Sequence, residues 1–271
     1  MSVFDVTSGT YYASLGAAIA GSQSNDVIQI TGGSYDENFP DITHNLTIDA
    51  VGGLAYLTTP QPQPLNGRAI LNVPLDQNVS LSISGLSLSG AVDASNNGAG
   101  ILFETGNAAL TVSNSWVHGN QDGILTGGVD AASTNGMTVT ITHSEIDNNG
   151  LAPSNPRYGF DHNLYIGAVN QLTVSDSYIH DALGGHEIKS RALASTITNN
   201  RIFDGATATT SYSIDLSNGG NDVVAGNVIE KGPASPNRYV IQFAGKATYP
   251  GRSLSVTGNM GAGAAIGGAT G

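Results

Sequence analysis

The stretch LTVSNS at 110–115 returns along the chain as VTITHS at 139–144, LTVSDS at 172–177, STITNN at 195–200, DVVAGN at 222–227 and LSVTGN at 254–259. LTID at 46–49 and LSIS at 81–84 extend the series toward the N-terminus. Each is a short run alternating apolar and polar residues, the period of a strand with one buried face. The centres Ile83, Val112, Ile141, Val174, Ile197, Val224 and Val256 stand 29, 29, 33, 23, 27 and 32 residues apart. That period is irregular but never shorter than a full coil of a solenoid. Three residues beyond each of the last six centres come Ser115, Ser144, Ser177, Asn200, Asn227 and Asn259. In stacked coils these would lie above one another at about 4.8 Å and form a hydrogen-bonded ladder at an inward turn. An antiparallel sandwich would give regular turns but no fixed polar offset.

A second series precedes the first by about ten residues in most coils: GILFE from 100, GILTG from 123, HNLYIG from 162, HEIKSRA from 186, YSIDLS from 212 and YVIQFA from 239. Two such series per repeat predict an all-β, right-handed parallel β-helix of about eight coils. Leu15, Ala18 and Ile19 have helical spacing, so Tyr11 to Ser24 is expected to form a short amphipathic helix closing the N-terminal end. The expected organisation is a cap over 1–25, the β-helix over 26–264 and a frayed tail over 265–271. Thr58 to Asn66, Asp130 to Asn135 and Leu151 to Arg157 interrupt the repeat and read as loops walling a binding face.

Charged residues make up only 11% of the 271, while Gly numbers 36. Solubility therefore rests on hydroxyls and amides, a composition suited to short strands and tight turns. With 21 acids against nine Lys plus Arg, the net charge of −12 opposes nucleic-acid and anionic-membrane partners. Cysteine is absent, which excludes disulfides and thiolate metal sites. No apolar run reaches membrane-spanning length and no signal peptide follows Met1.

Aligning the second series places HNLYIG beneath HEIKSR, with SIDLS above both. Leu164, Ile166, Ile188, Ile214 and Leu216 take the inward positions, so alternation turns their neighbours outward. The exposed face is then expected to carry Asn163 and Tyr165, then Glu187, Lys189 and Arg191, then Ser213, Asp215 and Ser217. Tyr165, Lys189 and Asp215 should form one column, with His162 and His186 stacked at its rim. The chain has only three Lys and six Arg, so the pair Lys189 and Arg191 beside Glu187 marks the densest mixed cluster of the sequence. A charge row protecting a strand edge, or a structural Lys189–Asp215 pair, would use the same residues. Aromatics are 6% of the chain with one Trp, and no stacking platform is evident.

The ordering HNLYIG, GHEIKSRA, YSIDLSNGG and NVIEKG resembles a bacterial family of right-handed parallel β-helix proteins in the pectate-lyase-like superfamily, over roughly residues 26 to 260. The resemblance implies action on acidic polysaccharides as lyase, epimerase or hydrolase. Tyr158-Gly159-Phe160-Asp161-His162 is also similar to the Tyr-Gly-Phe-Asp-Pro-His motif of mannuronan C5-epimerases, whose Tyr, Asp and His serve the active site. Here the Pro is missing, which brings His162 one residue closer and would turn it to the opposite face of a strand.

The residues permit abstraction of the proton α to a uronate carboxyl, followed by β-elimination or reprotonation. Arg191 with Asn163 would neutralise the carboxylate, Lys189 or His162 would act as base, and Tyr165 as acid. Glu187, Asp215, His186 and Tyr158 are expected to bind substrate. A Ca²⁺ held by Asp161, Glu187 or Asp215 could assist. The leading expectation is a secreted, extracellular or periplasmic, monomeric polysaccharide lyase. Glu187 with Asp215 as an acid and base pair would instead make a glycoside hydrolase, and a non-catalytic carbohydrate-binding or tailspike-like solenoid is a third reading.

Overall fold

The computed structural model describes residues 1–60, 68–75, 77–104, 106–127, 136–246, 249–261 and 265–268. Among them nearly every regular element is a strand, and one helix occurs. Successive coils lay three strands onto three walls of a parallel β-helix.

The first wall is built from Leu81–Ser84, Ala109–Ser113, Thr138–Thr142, Gln171–Ser175, Ala194–Thr198, Asn221–Ala225 and Ser253–Thr257. Their parallel register aligns Ile83, Val112, Ile141, Val174, Ile197, Val224 and Val256 in one column. All but Val256, which packs against the core from a less covered position, are fully buried. The column read from the repeat is therefore the spine of the core.

A two-residue turn, shortened to the single Gly85 between Leu81–Ser84 and Leu86–Ser89, carries the chain onto the second wall. Its first position has positive φ in Gly85, Asn114, His143, Asp176, Asn199, Gly226 and Gly258. Gly meets no Cβ clash there, and Asn, Asp and His are the side chains that best tolerate it. The second position is the expected ladder. Backbone N–H groups of Ser115, Ser144, Ser177, Asn200 and Asn227 donate to the side-chain oxygens of Ser144, Ser177, Asn200, Asn227 and Asn259, over 2.9–3.2 Å. These polar groups sit inside the corner without leaving unpaired donors.

The second wall consists of Leu86–Ser89, Trp116–His118, Glu145–Asp147, Tyr178–His180, Arg201–Phe203 and Val228–Glu230, with Leu88, Val117, Ile146, Ile179, Ile202 and Ile229 inward. The third is an eight-stranded sheet: Ala69–Val73, Ala99–Phe103, Asp122–Thr126, Leu164–Ile166, Ile188–Ser190, Ile214–Leu216, Tyr239–Phe243 and Ala265–Gly268. That last strand lies where composition had led us to expect a frayed tail, and it pairs with Tyr239–Phe243.

At the N-terminal end the helix is shorter than expected, Leu15–Gly21, because Thr10–Tyr12 is a strand. Leu15, Ala18 and Ile19 bury as their spacing implied. Ser14 and the Glu37 carboxylate accept from the helix's first N–H groups. Val3–Asp5 runs antiparallel between Thr10–Tyr12 and Asp26–Asp36, across the edge of the first coil. The Asp130 to Asn135 loop, most of the Thr58 to Asn66 loop, and residues 269–271 lie outside the described residues.

Candidate active site

The third wall presents the polar column expected of it. Leu164, Ile166, Ile188, Ile214 and Leu216 are buried, and register stacks Tyr165 on Lys189 and Lys189 on Asp215. The Lys189 Nζ lies 5.1 Å and the Arg191 guanidinium 5.5 Å from the centre of the Tyr165 ring. Two cations and a phenol thus share one patch on adjacent levels. Beside them rises a row of rings: His162 and His186 stack with centroids 4.8 Å apart, Tyr212 follows at 5.3 Å, and His162 is 5.3 Å from Tyr165. The row depends on Gly185, where any Cβ would fall 2.5 Å from His162 Nδ1 and 1.8 Å from the Asp161 carbonyl oxygen.

Backbone donors assign the imidazole tautomers. The His186 N–H donates to His162 Nδ1 over 2.9 Å, and the Tyr212 N–H to His186 Nδ1 over 3.1 Å. The proton of each neutral ring therefore sits on Nε2. His162 Nε2 is buried without a hydrogen-bond partner, while His186 Nε2 lies 3.5 Å from an Asp215 oxygen. Burial holds both rings neutral, His162 well below the usual histidine range and His186 at about 3, helped by Lys189 nearby. Burial also lowers the Lys189 pKa, opposed by Asp215 and reinforced by Arg191. The Tyr165 phenol moves up, chiefly through burial, with Arg191 pulling the other way. The site thus holds an amine whose pKa is lowered, a phenol whose pKa is raised and a guanidinium, beside two buried neutral imidazoles.

No protein-family model matches the chain, and no curated protein matches its sequence. Solved structures do. An alginate lyase from Paenibacillus sp. str. FPU-7 superposes with a TM-score of 0.59 at 17% identity, covering 94% of both chains. The chain has the parallel β-helix fold that these structures share. A pectin methylesterase from Aspergillus niger gives 0.55 at 14% identity over 95% of this chain and 84% of its own. Pectate lyase Pel9A gives 0.55 at 13% over 93% and 73%. At these identities the likeness is one of fold.

Several expected site residues of the β-helix stand elsewhere. Asn163 and Glu187 are fully buried and do not line the groove. They precede the strands Leu164–Ile166 and Ile188–Ser190 by one residue, at a corner where strand alternation no longer applies. There they continue a second internal ladder: Ala91 N–H to Asn120, Asn120 N–H to Asn149, Asn149 N–H to Asn163 and Ala182 N–H to Glu187. The Asn163 amide also donates to Glu187. Thr210 donates to the other Glu187 oxygen, and burial with Asp204 nearby raises the Glu187 pKa well above the carboxylate range. Glu187 is therefore structural, and the hydrolase pair with Asp215 is lost. Asn163 likewise gives up its expected place beside Arg191.

Tyr158 packs on Gly184, where a Cβ would meet its ring at 2.3 Å. Asp161 pairs with Arg157 over 3.4 Å, and Asp215 accepts from Ser217 over 2.6 Å. With Glu187 inside the core, the three carboxylates proposed for Ca²⁺ do not converge and do not fit that ion. Among the described residues, the group with metal-ligand spacing is Glu145, Asp147 and His180 on the second wall. Sequence reasoning missed Asp122 and Tyr212. Asp122 accepts from the His162 N–H over 2.9 Å, and burial with Asp161 nearby raises its pKa to about 8. It precedes GILTG as His162 and Asn163 precede LYIG, so extending that alignment by one residue would have found it. The loop Leu151 to Arg157 stands next to Asp161 and is tied by Asn155 to Asn96.

Proposed function

We propose that this protein is a polysaccharide lyase that cleaves a uronate-containing chain by β-elimination on the third wall. The carrying observation is the convergence of the Lys189 amine and the Arg191 guanidinium on the Tyr165 ring. Elimination needs a base, an acid and a counter-charge within reach of one sugar ring, and these three groups supply them. Neutral Lys189 removes the proton α to the uronate carboxyl. Negative charge then builds on that carboxyl, where the Arg191 guanidinium donates to it. The C–O bond to the neighbouring sugar breaks as the new C=C bond forms, and the Tyr165 phenol gives its proton to the departing oxygen. A proton passing from the Lys189 ammonium to the Tyr165 phenolate restores both groups, so the reaction consumes no water.

His162 takes no part as a base, because its Nδ1 is occupied by the His186 N–H and its ring is fully buried. The two lyases among the structural relatives support this reading as fold-level precedent. Substrates of this size call for action outside the cell, and one chain contains the whole proposed site, so we assign a secreted monomer. No helix among the described residues is long and apolar enough to cross a membrane. Incubation with alginate, polygalacturonate, methylated pectin and glucuronans, followed by ultraviolet absorbance for unsaturated ends, tests the assignment. New reducing ends without unsaturation, or a changed uronate configuration without cleavage, would overturn it.

A further inference from the structure

The second wall holds a feature that the proposed lyase chemistry does not use. Its outward register places Tyr56, Ser87, Trp116, Glu145, Tyr178 and Arg201 in one column along the β-helix axis. Rings thus occupy alternate levels, with hydrogen-bonding or charged side chains between them. Tyr56 is 44% exposed. Trp116 is half-buried, and its geometry is fixed twice: His118 stacks on one face at 3.6 Å, and the indole N–H donates to Asp147 over 2.5 Å. His118 is in turn within 3.1 Å of the Ser87 hydroxyl. Trp116 also lines an open hollow of about 320 Å³, together with Leu54, Asn114, Ser115, His143 and Glu145. Further along the column Tyr178 is closed off, with His180 stacked on it at 3.9 Å and the Arg201 guanidinium 4.8 Å from its ring.

We infer that this hollow is a second saccharide-binding site, separate from the groove on the third wall, and that it takes an uncharged, hydroxyl-rich sugar chain laid along the axis over Trp116 and Tyr56. A rigid aromatic face with one polar edge already satisfied offers area to the apolar face of a pyranose at small entropic cost. Around it, the Asn114 amide, the His143 imidazole and the Glu145 carboxylate supply donors and acceptors for ring hydroxyls. Among the described residues no Lys or Arg lines the hollow, and Glu145 would repel a uronate. The selectivity is therefore opposite to that of the cation-bearing groove. Extended pyranosides advance by a distance on the order of the 4.8 Å spacing of the strands, so rings on alternate levels would meet alternate sugars. The inference stands on the second wall alone and does not depend on the lyase reading.

Trp116 is the sole tryptophan of the chain, so intrinsic tryptophan fluorescence reports this site directly. The full chain is titrated with neutral hexasaccharides of β-glucan, β-mannan, β-xylan and chitin type, with hexaguluronate and hexagalacturonate as anionic controls. The expected result is a saturable spectral shift with at least one neutral hexasaccharide and none with the uronates. Lys189→Ala should leave that response unchanged. Calorimetry should show at least a tenfold affinity loss in Trp116→Ala and retention in Trp116→Phe, circular dichroism confirming that both fold. The inference is overturned if no neutral sugar saturates the signal, if a uronate does so more tightly, or if Lys189→Ala abolishes the response.

Discussion

Replacing Asn227 tests the ladder that holds the first corner together. Its side chain is fully buried and engages in four hydrogen bonds. The oxygen accepts from the Asn200 N–H over 2.9 Å and from the Asn200 amide over 3.0 Å, while the nitrogen donates to the Ile197 carbonyl and to Asn259, both over 2.9 Å. Asn259 is more exposed and can turn to water. Asn227→Ala therefore strands two buried donors, each costing about 1–3 kcal/mol, for an expected loss of about 2–6 kcal/mol. The same column provides the control. In its serine rungs the hydroxyl accepts the N–H of the coil before and donates to the carbonyl two residues earlier, as Ser144 does toward Ser115 and Thr142. Asn227→Ser should accordingly restore the acceptor for the Asn200 N–H and recover roughly half the loss. Urea unfolding followed by circular dichroism, with the midpoint read at constant slope, measures both. A serine variant as unstable as the alanine variant, or an alanine variant costing under about 1 kcal/mol, would refute the ladder's role.

On the third wall, Lys189→Ala should lower kcat far more than it raises KM, and Arg191→Gln should impair both, as steady-state kinetics on a uronate polymer will show. The activity of the unmodified enzyme should rise with pH through a Lys189 pKa below the ordinary lysine value and fall only above the ordinary tyrosine range, since burial lowers the first and raises the second. Arg191→Gln removes a cation beside Lys189, so its ascending limb should move to higher pH; a limb that stays put would detach Lys189 from the base role. Asp122 binds its proton up to about pH 8 when folded, against roughly 3.9 for a free carboxyl. Its contribution to stability therefore declines as pH rises across that window. Asp122→Asn should flatten the decline, and thermal melts from pH 4 to 8 that keep the original slope would count against it.

The spine of the core was legible because five-residue strands carry full alternation, and because Ser115 through Asn259 hold a constant offset from apolar centres. The Tyr165, Lys189 and Asp215 column followed from the same rule applied to Leu164, Ile188 and Ile214. That rule failed one residue earlier, at Asn163 and Glu187, where the chain is turning a corner. The second ladder was hidden for a related reason: Asn149 and Asn163 are bonded rungs only 14 residues apart, because the loop Leu151 to Arg157 falls within the coil and Asn163 enters from its far side. Trp116, Glu145 and Tyr178 belong to strands of three residues, which show only two outward positions each. Nothing in so short a run announces that rows about 30 residues apart form one face.

The strand Val3–Asp5 crosses the first coil antiparallel, and the helix Leu15–Gly21 lies beside it. These segments precede the coils in the chain, so the first coil acquires a covered edge before its successors are made. Every later coil finds its template already docked, at a sequence distance of one repeat, and needs no long-range search. At any moment the nascent chain then shows one unsatisfied sheet edge, at its growing front, where the next strand of the same chain is the nearest competitor for pairing.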